Sequence, residues 1–195
     1  MDSIHERNLS IRTTEIGENM ICIEGNLTDE RLCPAFQYSK RQLVDKGVYH
    51  HIQVKMTLSL PKLTIESIRA QMPTVPIEHC REIERVVTQL VGIQLARGFS
   101  RKVRERIGGV NGCVHMTQLL LAMSAASVQG SYAYYNRVRN NGKPMKPEYD
   151  ESLLVNSCHV WRESGPFAHQ LEEMKKAGQE FTAVPKEIGS TEMPG

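Results

Sequence analysis

The chain has 195 residues, 40% of them apolar and 24% charged, a balance that suits one folded domain of ordinary size and excludes wholesale disorder. A net charge of only +2 is too mild to predict nucleic-acid binding, and an aromatic content of 6% makes base-stacking platforms scarce, so no nucleic-acid partner is expected. No basic-then-apolar leader opens the sequence, and the longest apolar run, Leu119 to Ala126, is broken by Ser124. The expectation is therefore a cytoplasmic protein with no membrane partner.

The first segment reads as β. Asn8 to Thr14 alternates in polarity, and Met20 to Gly25 has strand character after the turn-prone Gly17-Glu18-Asn19. Pro34 keeps the next stretch irregular, and Tyr38 to Lys46 reads as a short helix ended by Gly47. From Tyr49 to Leu58 the alternation is clear: Ile52, Val54, Met56 and Leu58 fall on one face, His51, Gln53, Lys55 and Thr57 on the other. Leu63 to Ala70 follows a polar turn and reads as the returning arm of a hairpin.

At Pro76 the period becomes helical. Ile77, Cys80, Ile83, Val87, Leu90 and Val91 share a face, and Gly92 ends the segment. Arg97 to Ile107 reads as a short basic helix, and Gly108-Gly109-Val110-Asn111-Gly112 as a turn. A long helix follows from Cys113 to about Tyr135, burying Met116, Leu119, Leu120, Met123 and Ala126. Asn140 to Pro147 reads as a loop, Leu153 to Trp161 as an extended segment, and Pro166 to Lys176 as a last helix. Strands followed by helices give the α+β class: an antiparallel sheet of three to five strands packed on one face by helices. Residues 1–176 are expected to form a single domain and 177–195 a mobile tail.

Five cysteines, at positions 22, 33, 80, 113 and 158, form no Cys-x-x-Cys pair, so neither a disulfide framework nor a zinc finger is expected. Chemistry would need the fold to bring distant residues together. The glycine turn delivers Cys113 and His115 to the first turn of a helix, where backbone N–H groups favour a thiolate and imidazole can ligate a metal. Residues two apart on a helix point about 200° apart. The two can share an ion only if Cys113 still belongs to the turn; otherwise Cys113 packs in the core and His115 faces solvent. Cys80 opens the preceding helix but also lies on its apolar face. Cys158 and His159 form a third cluster. His50 and His51 open a strand, where only one of them can face the core, and a solvent-exposed pair is the simpler reading. Arg101 and Arg104, in a run of basic residues, are candidates to hold a carboxylate or phosphate, against the plainer reading of a solvated helix face.

Two functions from different classes follow. One is a zinc- or iron-dependent enzyme acting on a small anionic organic molecule, with Cys80, Cys113, His115, Cys158 and His159 as candidate ligands and Arg101 or Arg104 orienting the substrate. The alternative is a non-catalytic metal or iron–sulfur carrier, or an accessory protein. Mixed Cys and His donors suit the first, since cluster carriers need mostly thiolates.

Ile23-Glu24-Gly25-x-Leu27-x-Asp29, then Leu90-Val91-Gly92 and Gly98-Phe99, then the run from Arg104 to Leu120 around Gly112-Cys113-x-His115-Met116-Thr117, resemble a bacterial family known only as a domain of unknown function. The resemblance extends to Ser157-Cys158-His159-Val160-Trp161 and implies no activity. At the level of fold, three antiparallel strands followed by a Cys-bearing helix and a helix opening on Cys and His are similar to iron–sulfur assembly scaffolds of the U type. That likeness implies Cys80, Cys113 and His115 as ligands of zinc or a nascent cluster. The scaffold's Cys-Gly-Asp turn between the first two strands is missing here, with His50 or His51 the only nearby substitute.

Overall fold

A computed structural model of the chain describes residues 2–95, 98–137, 156 and 158–177. The chain divides into two compact units, Met1–Tyr149 and Asp150–Gly195. In the first, strands β1 (His5–Gly17), β2 (Met20–Arg31), β5 (Gly47–Ser59) and β6 (Thr64–Thr74) form an antiparallel sheet in the order β1-β2-β5-β6. Between β2 and β5 lies a small hairpin, β3 (Ala35–Gln37) and β4 (Gln42–Val44). A 3-10 helix spans Glu78–Leu90, and two α-helices follow, α1 (Phe99–Ile107) and α2 (Val114–Asn136). The chain is α+β, as its order of strands and helices implies.

Register explains the core. Ile21 pairs with Leu58, Ile23 with Met56, Gly25 with Val54 and Leu27 with Ile52. All eight are buried. Helix α2 lies over this face, against β1, β2 and β5, and seats Met116, Leu119, Leu120 and Met123 in it. Its approach is close at Gly25, where an added Cβ would stand 2.6 Å from Met123 Sδ. The opposite face stays polar, with Asn26, Gln53, Arg69 and Gln71 around a Lys55–Glu24 ion pair of 2.6 Å. The far edge is closed by the 3-10 helix. Glu84 accepts the Met72 N–H at 2.6 Å, and Arg81 donates to the Met72 carbonyl. Edge-strand groups that would otherwise be free are thus satisfied by side chains.

Three local expectations are corrected. Tyr38 to Lys46 is not helical: Gln42–Val44 pairs back on Ala35–Gln37, with Phe36 opposite Leu43. A direct cross-strand apolar pair outweighs a weak helical propensity. The segment after Pro76 is helical but wound as 3-10, whose three-residue repeat stacks Glu84, Val87 and Leu90 on the side facing β6 and the core. In the second unit, the described residues around Cys158–Trp161 form turns rather than an extended segment, followed by α3 (Pro166–Lys176). Arg97, the loop over residues 140–147 and the expected tail from 178 onward lie outside the described residues.

Candidate metal centre

The apolar pairs of β2 and β5 end on a polar one. One step beyond Leu27 and Ile52, on the same face, Asp29 stands opposite His50, and Arg7 of β1 faces Asp29 from the other side. Asp29 is fully buried. Arg7 clamps it with two charge-assisted bonds, Nε to Oδ1 at 2.6 Å and Nη2 to Oδ2 at 2.8 Å. His5 Nε2 lies 3.2 Å from Oδ1. Burial works to raise the Asp29 pKa, but the Arg7 bonds and charge outweigh it and hold the carboxyl below its ordinary range.

Helix α2 supplies the lid of this cluster. Its N-cap is Cys113, in extended backbone, so His115 falls in the first helical turn. The preceding turn is locked: an added Cβ at Gly112 would stand 1.9 Å from the Ile107 carbonyl oxygen, and Thr117 Oγ1 donates to that same oxygen at 3.1 Å. The helix start is tied to β1 as well, by Arg7 Nη1 donating to Gln118 Oε1 at 2.5 Å.

The lid brings His115 Nε2 to 3.4 Å from Asp29 Oδ2, and His50 Nδ1 lies 3.2 Å from the same oxygen. The two imidazole rings are 4.1 Å apart between centroids and inclined by 34°. His50 Nδ1 is not aligned as a hydrogen bond to the carboxylate and is buried without a hydrogen-bond partner. Burial, then the neighbouring His115, lowers the His50 pKa, outweighing the adjacent Asp29 carboxylate, which pulls it up. On the far side of the other ring, Cys113 Sγ lies 3.6 Å from His115 Nδ1. Burial raises the Cys113 pKa, but His115 and the N–H groups of Met116 and His115 bring it below the ordinary thiol value.

Asp29, His50 and His115 form a group that can hold a metal ion, with one ligand atom from each within 4.8 Å of the others. Oxygen and nitrogen ligands about 2.0–2.2 Å from a tetrahedral ion are about 3.3–3.6 Å apart. The 3.2 and 3.4 Å separations from Asp29 Oδ2 are close to that edge length. Two imidazoles and one carboxylate are a donor set that suits zinc or iron(II).

Of the residues singled out in the sequence, His115 lies in this group and Cys113 touches it through the imidazole. Cys80 sits partly buried in the first turn of the 3-10 helix, packed against the core. Arg101 and Arg104 are exposed on α1, with Arg101 Nε 3.6 Å from Glu105. Cys158 and His159 belong to the second unit, where both are exposed and Arg162 Nη1 lies 2.8 Å from His159 Nε2. Asp29 was not anticipated as a ligand; His50, named only as a substitute for the scaffold's missing turn, is not half of an exposed pair, its side chain being 13% exposed. The available signal was the alternation Ile21, Ile23, Gly25, Leu27, Asp29, which puts a carboxylate on a buried face.

A family model described as a protein of unknown function, DUF2889, matches residues 5–129. The chain belongs to that family. The matched region contains Asp29, His50, Cys113 and His115, whereas Cys158 and His159 lie beyond it. No curated protein and no solved structure matches the chain.

Proposed function

We propose that this DUF2889 protein binds one zinc or iron(II) ion through Asp29 Oδ2, His50 Nδ1 and His115 Nε2, and uses it to act on a small anionic organic molecule. One observation carries the reading: a buried, hydrogen-bond-free His50 nitrogen 3.2 Å from the oxygen of a fully buried carboxylate. An orphaned buried nitrogen costs about 1–3 kcal/mol unless something occupies its lone pair. An ion does so, and three protein ligands leave a coordination position for water or substrate. Arg7 and Cys113 then serve as outer partners, one fixing the carboxylate and the other the His115 ring. The donor set favours a mononuclear ion over an iron–sulfur cluster, which needs thiolates.

Metal analysis after dialysis against zinc or anaerobic iron(II) tests this. One ion per chain is expected in the wild type and in Cys80→Ala, and none in His50→Ala or His115→Ala. Cys113→Ala should keep the ion with about tenfold weaker affinity, the usual effect of losing an outer partner. A stoichiometric ion in His50→Ala, or loss of it in Cys80→Ala, would overturn the assignment.

A further inference from the structure

The site's wall continues past Asp29 toward the end of the sheet. On β2 the next residue on the same face is Arg31, one pleat or about 7 Å along the strand. On β5 the register slips there: His50 faces Asp29 but Val48 faces Glu30, so Tyr49 is an extra, bulged residue. Bulges re-aim side chains. The Tyr49 ring lies 4.7 Å from the His50 ring and 6.1 Å from the His5 ring, on the side of the ligand group. The Arg31 guanidinium rests on this ring, 4.5 Å from its centroid.

Cation–π attraction to a ring does not use up the guanidinium N–H groups, which stay able to donate to an anion. Among the described residues the Arg31 side chain has no ion pair or hydrogen bond. Arg7, the other arginine at the site, is spent on Asp29 and Gln118. Glu30 and Glu6 alternate to the opposite face of their strands. A divalent ion beside one carboxylate already neutralised by Arg7 leaves this end of the sheet with excess positive charge. Arg31 adds to that excess.

We propose that Arg31, held over the Tyr49 ring, binds the carboxylate of a small organic anion whose other end ligates the ion at Asp29, His50 and His115. This rests on the metal reading above and names the substrate class for it: a short molecule with two anionic ends a few bonds apart. The bulge at Tyr49 is the device that sets the second anchor.

Cobalt(II) serves as a coloured probe of the ion site, and two anions separate the two claims. Azide reaches only the ion, whereas succinate spans from the ion toward Arg31. Titrations followed by the cobalt visible spectrum should show both anions binding the wild type. In Arg31→Gln, succinate should weaken by about tenfold or more and azide by less than about twofold, with Arg31→Lys intermediate for succinate. Retained cobalt stoichiometry in the variants shows that the site still folds. Cobalt binding with succinate unaffected by Arg31→Gln, or failing to bind the wild type, overturns the anchor and leaves the metal reading standing. Failure of cobalt to bind the wild type overturns both.

Discussion

Replacing Asp29 and Arg7 separately and together separates what this cluster contributes to folding from what it contributes to chemistry. Asp29 is 0% exposed and the Arg7 side chain 31%, so removing either partner strands the other in unequal degree. Arg7→Met leaves a buried carboxylate with histidine neighbours only. Breaking a buried pair costs about 3–5 kcal/mol, and access of water past Arg7 puts this one near about 3 kcal/mol. Asp29→Leu leaves an arginine that can swing to solvent, at about 1–2 kcal/mol. The double variant strands no charge and places Met and Leu beside Leu27 and Ile52, so it should lie within about 1 kcal/mol of the wild type. The coupling between the two sites is then at least about 3 kcal/mol. Urea unfolding in the presence of a chelator reads it: with a slope of about 2 kcal/mol per molar, the midpoints of Arg7→Met and the double variant differ by about 1 M. Additive losses in the double variant would refute the argument that the pair is a self-contained charge balance. Ion binding should vanish in the double variant whatever its stability.

Gly112→Ala drives a Cβ into the Ile107 carbonyl oxygen, 1.9 Å away, where backbone must move. A loss of about 3 kcal/mol and a Tm lower by about 6–12 °C are expected. Gly25→Ala meets the flexible end of Met123 and should cost about 1 kcal/mol; equal losses in thermal unfolding would refute the distinction. Acid should weaken the metal-free protein in two separate windows. The His50 pKa is lowered in the fold from its ordinary 6.5, so the unfolded chain takes up that proton first. Its contribution is therefore lost as pH falls below about 6.5 and stops changing below the folded pKa. Asp29 is lowered from 3.8, so its contribution persists through this range and is lost only in stronger acid. Tm measured from pH 7.5 to 5.5 should fall in the wild type and fall less in His50→Gln; parallel slopes would refute the assignment to His50.

The sheet was legible because its signal is repeated. Four apolar residues in alternation from Ile52 to Leu58 admit one strand register, and Met116, Leu119, Leu120 and Met123 admit one helix face. The hairpin at Phe36 and Leu43 was not legible, since three-residue strands carry no period and their stability comes from a cross-strand pair. The site was half legible. Cys113 and His115 stand out because a glycine turn precedes them. Asp29 and His50 are ordinary residues in ordinary strands, 21 positions apart, and only the β2–β5 register makes them neighbours. Periodicity did say which face Asp29 occupies. Reading a carboxylate at the fifth place of a buried stripe as a site, rather than as the strand's exit into solvent, would have found it.

Folding stability gives no reason for this polar end. From Ile21 to Leu27 on β2 and from Ile52 to Leu58 on β5 the inner stripe is filled by Ile, Leu, Val, Met or the Gly25 that admits α2, and Leu and Val in place of Asp29 and His50 would extend the same packing. A buried carboxylate with an arginine clamp at best breaks even against apolar side chains of similar volume, and the orphaned His50 nitrogen is a net cost. Two further features are expensive in the same sense: a glycine turn so tight that Gly112 tolerates no Cβ, and a bulge that spends a strand residue to turn Tyr49 inward. All of them converge on one end of one face, where α2 begins. A fold that forgoes apolar packing there, and places both a helix start and a strand irregularity around the same residues, gives up stability for a polar cluster. Two imidazole nitrogens and a carboxylate oxygen backed by arginine form a group that can hold a metal ion, and the function proposed above accounts for that loss.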